Sequence, residues 1–169
     1  MKKVILSLAV IAIAFSANAQ KSKEEAGSKV KFSVGADLGI PVGNLSPFAS
    51  FAYGGDLQVD YMASEKFCVN LSVGYLGFSS KSGVGTIKGI IPILAGGRYW
   101  FSPKVYGSAQ FGFSLATASG GGSAFTYAPG VGFKVAENID ILAKYQSATK
   151  NGGETSYVGI RAAYTFGSK

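Results

Sequence analysis

Histidine is absent from this sequence, and cysteine occurs once, as Cys68. Without histidine, no serine or cysteine has an obvious general base. The sequence also has no GxSxG elbow, no metal-ligand cluster and no phosphate-binding loop, because its glycines are scattered at strand spacing. A single cysteine cannot form an intramolecular disulfide, and Cys68 is expected to be a small buried residue of a strand. We therefore predict a protein that is not an enzyme and that has no cofactor and no metal site.

Charge and long apolar runs are also scarce. Charged residues make up 15% of the chain, whereas about a quarter is usual in soluble domains. Beyond the N-terminal segment, no apolar run approaches the length of about 20 residues that a transmembrane helix needs. Hydrophobic residues nevertheless reach 47%, and there are 24 glycines. This composition favours alternating strands in lipid over a soluble barrel, whose solvated Gly/Ser/Ala-rich face would carry too few charges.

The segment 1–19 is predicted to be a cleaved signal peptide. Two lysines precede the apolar run Val4–Phe15, and Ala17–Ala19 has the A-x-A form of a cleavage site. A polar tail without apolar periodicity follows at 20–29 and is expected to lie in the periplasm. The remaining residues, 30–169, are predicted to form one domain.

The two faces of the segment Tyr157–Phe166 differ in chemistry. Alternate side chains of a strand point to opposite sides of a sheet. One side is apolar and ends in aromatic residues: Val158, Ile160, Ala162, Tyr164 and Phe166. The other side is small, polar and positively charged: Tyr157, Gly159, Arg161, Ala163 and Thr165. This pattern predicts the closing strand of an outer-membrane β-barrel whose apolar face contacts lipid.

The same alternation predicts eight strands. Their predicted ranges are Val30–Ile40, Phe51–Ala63, Phe67–Phe78, Lys88–Phe101, Val105–Thr117, Ala124–Val135, Ile139–Thr149 and Thr155–Phe166. The first, fifth and seventh of these show the pattern independently of the last. We therefore predict an all-β fold, an eight-stranded antiparallel up-and-down transmembrane β-barrel with short periplasmic turns.

Three connections between the predicted strands are short and polar, and the others are longer and rich in Gly, Ser and Asn. The short connections are Ser64–Lys66, Ser102–Lys104 and Ala136–Asn138. If each is a three-residue turn, the flanking residues are paired and belong to the apolar faces. The predicted pairs are Ala63 with Phe67, Phe101 with Val105, and Val135 with Ile139. Because outer-membrane barrels have short periplasmic turns and longer outer loops, both chain ends are expected in the periplasm.

Aromatic residues and two prolines add further expectations. Aromatic side chains of the apolar faces cluster near the short turns and near the loops, as interfacial girdles do. Pro92 and Pro129 fall inside the fourth and sixth strands, where each removes a hydrogen bond of the ladder. We expect bulges or weak pairing there, and a lateral opening for lipid beside the fifth strand is the functional alternative.

These features resemble the small eight-stranded outer-membrane barrels, the OmpA/OmpX-like group and the outer membrane protein β-barrel domain family. The resemblance covers Val30–Phe166, and the ending at Phe166 resembles a C-terminal assembly signal, although Gly167–Lys169 follow it. It implies a location in the outer membrane of a Gram-negative bacterium. It also implies contact with outer-membrane lipid and lipopolysaccharide, and recognition by the barrel-insertion machinery. A monomer is expected.

Without Lys2 and Lys3 of the predicted signal peptide, 14 basic residues remain against 9 acidic ones, a net charge of about +5, which favours anionic partners such as lipid headgroups. Nucleic acid is not expected as a partner, because the aromatic residues alternate with aliphatic ones and do not accompany a basic run.

Charged residues on the inward faces form the candidate site. They are Lys31, Asp37, Asp56, Asp60, Lys88, Arg98, Lys134, Asp140, Lys144 and Arg161. Lys134 and Asp140 are expected to face each other across the third turn as an ion pair. Because an eight-stranded barrel is only wide enough for side chains to fill it, we favour a plug of paired charges over a narrow conduit with a cationic lining.

The inward faces of the third and fourth strands turn apolar. They carry Leu76, Phe78, Ile90 and Leu94, which predict an apolar pocket open towards the loops. A register shift at Pro92 is the alternative, since it would turn some of them outward. The predicted function is a structural or interaction role, and the alternative is binding or transport of a small hydrophobic ligand or lipid tail. A surface adhesin is disfavoured because the predicted loops are short.

Overall fold

The computed structural model describes residues 29–83, 85–118, 121–150 and 152–166. The predicted signal peptide, the tail before residue 29 and the last three residues lie outside this part of the chain. Within it, eight antiparallel strands close into a barrel, with each strand paired to its neighbours in sequence and the last paired to the first. The strands are β1 (Val30–Val42), β2 (Ala49–Met62), β3 (Phe67–Ser80), β4 (Ile90–Trp100), β5 (Val105–Ala116), β6 (Ser123–Ala136), β7 (Ile139–Lys150) and β8 (Gly153–Phe166). This confirms the predicted up-and-down barrel.

The period-two pattern decides which side chains point outward. In β1, Val34, Leu38 and Ile40 are exposed, whereas Ser33 and Asp37 between them are buried. The same alternation holds along the other strands, so the large apolar residues cover the outside and the polar ones fill the inside. This is the inverse of a soluble barrel, and closure leaves no sheet edge with unpaired backbone groups.

Aromatic side chains are prominent on the outer surface. Tyr61, Tyr99 and Phe166 lie towards the short turns, and Tyr53 and Phe125 lie towards the loops. Outward-facing rings also contact one another in edge-to-face pairs, such as Tyr164 with Phe166, whose centroids are 5.1 Å apart. Rings with a polar group are suited to the two interfaces of a bilayer.

The first two short turns have the predicted register, and the third does not. In the first turn, Ser64 Oγ accepts hydrogen bonds from the backbone N–H groups of Lys66 and Phe67 (3.4 and 3.1 Å). Ser102 does the same in the second turn. In the third, the register shifts after Lys134, and Ala136 becomes the partner of Ile139. The prediction that Val135 faces Ile139 is therefore wrong, because a bulge places one extra residue of β6 before the turn.

The two prolines interrupt the ladder without shifting the register. Between β3 and β4, the paired residues run as far as Val73 with Ile93 and resume at Leu76 with Ile90. Pro92 lies inside this gap. Because proline has no backbone N–H, it cannot donate a hydrogen bond to β3. A similar gap in the β6–β7 ladder includes Pro129. Both prolines remain register partners of β5 residues, so weak pairing is confirmed on one side only.

Loop residues close the opposite end of the barrel. A short 3-10 helix, Gly43–Leu45, follows β1 and carries Leu45 into a buried position. The loop before β4 is longer than expected, since the strand begins at Ile90. Lys88, predicted to be inward on this strand, is an exposed loop residue. The period-two pattern continues into the loop before β4, so the predicted strand began two residues too early.

Glycines on the inner wall make room for large inward side chains. A Cβ atom at Gly35 would lie 2.5 Å from Arg161 Nε, and one at Gly132 would overlap the ring of Tyr106. Both large side chains are buried. Each of these glycines therefore lets a bulky residue of a neighbouring strand cross the narrow interior.

We expect Gly132→Ala to lower the free energy of unfolding by about 1–3 kcal/mol, as overpacking does in protein interiors. The new methyl group would overlap the ring of Tyr106, which is fully buried and bonded to Asp140. Unfolding by urea in detergent micelles measures the change. The control is Gly55→Ala on the outer face of β2, where the new Cβ would meet only a backbone oxygen at 3.2 Å. Equal losses for the two variants would contradict this packing.

Candidate functional site

The barrel interior is the candidate site, and its ion pairs occupy two levels. The end of the barrel with the three short turns is called the turn end here, and the opposite end is called the loop end. Ion pairs lie in the interior at mid-height and nearer the turn end. At the loop end, an apolar cluster lies on one side, and buried hydroxyl groups such as those of Thr126, Ser147 and Ser156 lie on β6, β7 and β8.

At mid-height, Arg161 of β8 binds Asp56 of β2 through two hydrogen bonds. Arg161 Nε donates to Asp56 Oδ2 (2.7 Å), and Nη2 donates to Oδ1 (2.6 Å). The Arg161 side chain is only 2% exposed. The planar guanidinium matches a carboxylate in this two-bond geometry, so the pair is held in one orientation.

A second ion pair lies beside the first. Lys144 Nζ of β7 is 2.7 Å from Asp37 Oδ1 of β1, and both side chains are 7% exposed. The same ammonium lies 5.8 Å from the centroid of the Tyr157 ring. The mid-height level therefore contains two acids and two bases in mutual contact range, and their charges balance.

The third ion pair is looser and lies nearer the turn end. Arg98 Nη1 of β4 is 3.8 Å from Asp60 Oδ2 of β2. Asp60 also accepts a hydrogen bond from Gln58 Nε2 (2.8 Å), and its Oδ1 lies 3.7 Å from the Cys68 thiol. Cys68 is buried, in agreement with the prediction.

All three ion pairs skip one strand. Register neighbours such as Asp37 and Arg161 lie side by side in the sheet, yet each bonds to a residue two strands away. The barrel is narrow enough for long side chains to reach across the interior, so a pair can connect strands that are not adjacent.

Lys134 and Asp140 are register partners as predicted, but their side chains do not form the predicted ion pair among the described residues. The Asp140 carboxylate accepts a hydrogen bond from Tyr106. Lys134 Nζ lies 5.5 Å from the ring centroid of Trp100. Aromatic residues of β4 and β5 therefore contact both side chains. The prediction considered only the register of β6 and β7, so it did not include these neighbours.

The predicted apolar residues are inward, and most of them belong to a packed cluster. Leu76 and Phe78 are buried with Leu45, Ala49, Ala52 and Tyr157, and Ile90 packs against them. Leu94 lies deeper, beside the mid-height charges. The cavity that Leu76 and Leu94 share with those charges measures about 20 Å³, which suits a single water molecule. The predicted register shift at Pro92 does not occur.

An open cavity of about 510 Å³ lies at the turn end. Lys31, Asp60, Arg98, Lys134 and Asp140 line it together with residues of the turns. Half of the predicted charge network therefore faces this cavity, which the sequence did not suggest.

Several interior polar residues were not among the predicted site residues, although the alternation places Ser72 and Gln110 on the inner face. Gln110 Nε2 donates to Asn70 Oδ1 (2.8 Å) and to Ser72 Oγ (3.2 Å), linking β5 to β3. These residues have the same inward parity as the predicted charges, so that parity is the signal that could have found them. Trp100, at the turn end of β4, has the same inward parity.

In the part of the chain that the structure describes, no helix is long and apolar enough to cross a membrane. The described residues also include no cluster of three or more His, Cys, Asp or Glu side chains that could hold a metal ion.

A closed eight-stranded barrel with an apolar outer surface and a polar interior defines the class of small transmembrane β-barrels. The family model of the outer membrane protein beta-barrel domain matches residues 7–166, so the chain belongs to that family. This confirms the resemblance noted in the sequence. No curated protein matches the chain.

Solved structures of the same fold include membrane proteins from two bacteria and a designed barrel. Ail of Yersinia pestis in a phospholipid nanodisc has a TM-score of 0.59 at 18% identity, over 81% of this chain and 98% of Ail. The N-terminal barrel domain of Pseudomonas aeruginosa OprF has a TM-score of 0.51 at 14% identity, over 80% of this chain and 97% of that domain. A de novo designed transmembrane barrel has a TM-score of 0.51 at 17% identity, over 84% of this chain and 99% of the designed one. At these identities the similarity shows the fold alone.

We expect Arg161→Met to lower the free energy of unfolding by about 3–5 kcal/mol, because it leaves Asp56 without its main partner in a buried site. The double variant Arg161→Met with Asp56→Asn should recover part of that loss, since no uncompensated charge remains. Unfolding of the four proteins of this cycle in detergent micelles measures both effects. Additive losses would contradict a direct interaction between the two side chains.

Proposed function

We propose that this protein is an integral outer-membrane barrel with a structural or interaction role, without catalytic activity, and that paired charges close its interior. The observation that carries the proposal is the set of ion pairs inside the barrel at mid-height. Lys144–Asp37 and Arg161–Asp56 place four paired side chains in the interior there, and the apolar cluster around Leu45 occupies part of the loop end. Both features oppose the passage of hydrated ions.

The orientation proposed for the barrel follows from its connections. In this class of proteins the short turns face the periplasm and the longer loops face outward. The turn end would then be periplasmic, in the outer membrane of a Gram-negative bacterium. A cleaved signal peptide and the insertion machinery would bring the chain there as a monomer. Its outer surface would contact lipid and lipopolysaccharide.

A hydrophobic-ligand binder is the alternative function. It would use the inward apolar residues Leu76, Phe78, Ile90 and Leu94. The packing of this cluster gives it less support, because the cavity beside Leu76 and Leu94 measures about 20 Å³, whereas ligand pockets measure about 300–1,000 Å³. An apolar molecule retained by the purified protein in native mass spectrometry would favour this alternative.

We expect the wild-type protein to show no steady ion conductance in planar lipid bilayers. A variant that combines Leu45→Ser, Lys144→Ser and Arg161→Ser should conduct, because it lacks the loop-end apolar side chain and both mid-height cations. Its conductance should favour cations, since Asp37 and Asp56 remain.

The control for conductance is Lys104→Gln, which removes one positive charge from an exposed turn residue. Like the wild type, it should show no steady ion conductance. Stable channels formed by the wild-type protein would contradict a closed interior.

The proposed orientation predicts which cysteine variants are labelled on intact cells. In a Cys68→Ser background, a membrane-impermeant maleimide should label Ser82→Cys in the loop before β4. It should leave Ser102→Cys in the second short turn unlabelled until the outer membrane is permeabilised. Both serines are exposed, so labelling depends only on which side of the outer membrane each residue lies.

The opposite labelling pattern would contradict the orientation. Labelling of neither variant, with the protein absent from the outer-membrane fraction, would contradict the location.

A further inference from the structure

The open cavity at the turn end, called the vestibule here, is not used by the proposed closure of the barrel. Its volume is about 510 Å³, which is within the range of small-molecule sites. Its basic residues are Lys31, Lys66, Arg98 and Lys134, and its acidic residues are Asp60, Glu65, Glu137 and Asp140. Apolar surface comes from Met62, Trp100, Phe101 and Pro103.

Arg98 is the feature of the vestibule that points to a ligand. Arg98 is 5% exposed, and its one ion pair among the described residues is the long contact of 3.8 Å between Nη1 and Asp60 Oδ2. Its Nε and Nη2 atoms are themselves buried and have no hydrogen-bond partner in the described part of the chain. The guanidinium carbon lies 4.9 Å from the ring centroid of Tyr106. The ring therefore fixes the group, while the Nε–Nη2 edge stays unpaired.

An unpaired, buried donor is costly, and this edge has a specific complement. A guanidinium presents parallel N–H groups that match the two oxygens of a carboxylate. Arg161 shows that arrangement with Asp56 at mid-height through the same Nε and Nη2 atoms. In the vestibule, Asp60 and Asp140 are already bonded to Gln58 and Tyr106.

Other groups around Arg98 decide the kind of anion. The lining has equal numbers of acidic and basic residues, so a monoanion fits the electrostatics better than a multiply charged phosphate. Lys134 lies over the indole of Trp100 at 5.5 Å, which places a cation beside an apolar ring. A carboxylate attached to a small apolar body complements both surfaces.

We propose that the vestibule binds small monocarboxylates from the turn end, with the carboxylate at the guanidinium of Arg98 and the apolar part against Trp100. This proposal does not depend on a closed mid-height level. A conducting barrel could contain the same site, and a closed barrel could lack it.

The test uses the fluorescence of Trp100, which is the only tryptophan of the chain. The probe is N-acetyl-alanyl-alanine, titrated into the folded barrel in detergent micelles. Its C-terminal amide is the matched control, since it has the same shape without the charge. We expect a saturable change in emission with the acid and none with the amide. Saturation-transfer NMR on the probe's methyl groups provides a second readout that does not depend on tryptophan.

Two substitutions of Arg98 test the role of the guanidinium. Arg98→Gln removes the charge, and Arg98→Lys keeps it but removes the paired donors. Each should weaken binding by about tenfold or more, as expected for the loss of charged hydrogen bonds. Lys104→Gln is the control for overall charge, because this exposed lysine is on the second turn outside the vestibule lining. Its affinity for the probe should match that of the wild type.

Three results would overturn the proposal. One is an equal response to the acid and to its amide, or no saturable response in either readout. Another is unchanged binding in Arg98→Lys, which keeps the charge and therefore still tests the proposal if Arg98→Gln does not fold. The third is tighter binding of inorganic phosphate than of the probe, which would indicate attraction by charge alone.

Discussion

The narrow interior of an eight-stranded barrel is the constraint on which the rest of this structure depends. Every second residue of each strand points into a space that only side chains can fill. Bulky residues therefore have to be matched by glycines on neighbouring strands, as Arg161 is by Gly35 and Tyr106 by Gly132. These inner-wall glycines are a consequence of closing a small barrel around large side chains.

The same narrowness determines how the interior charges are arranged. A buried charge is strongly unfavourable unless a partner compensates it. Because a long side chain can reach past its neighbouring strand inside so narrow a barrel, Arg161 and Lys144 bind carboxylates two strands away. These contacts connect strands that share no backbone hydrogen bonds. Among the described residues they also leave an asymmetry, since the two mid-height ion pairs measure 2.6 and 2.7 Å whereas that of Arg98 at the turn end measures 3.8 Å.

The fold was predictable from the sequence to a much greater extent than the contacts inside it. Period-two alternation places residues on one of two faces, which is sufficient to find the strands and to assign Asp37 or Arg161 to the interior. It does not show which side chains of non-adjacent strands lie at the same height, so the partner of Arg161 could not be deduced. The failed prediction at Lys134 has the same origin, because Trp100 and Tyr106 come from strands outside the hairpin. The bulge near Val135 has no periodic signature at all.

The two surfaces of the barrel therefore carry different kinds of information. The outer face has to be apolar and to carry aromatic rings near its ends, and many sequences satisfy that requirement, as the 18% identity with Ail illustrates. The inner face is specific to this chain, since its ion pairs depend on the lengths of particular side chains and, for Arg161, on Gly35, which leaves room for the guanidinium. A fold of this type does not determine an activity. Both the closure and the ligand site that we propose depend on how the interior charges of the described residues are paired.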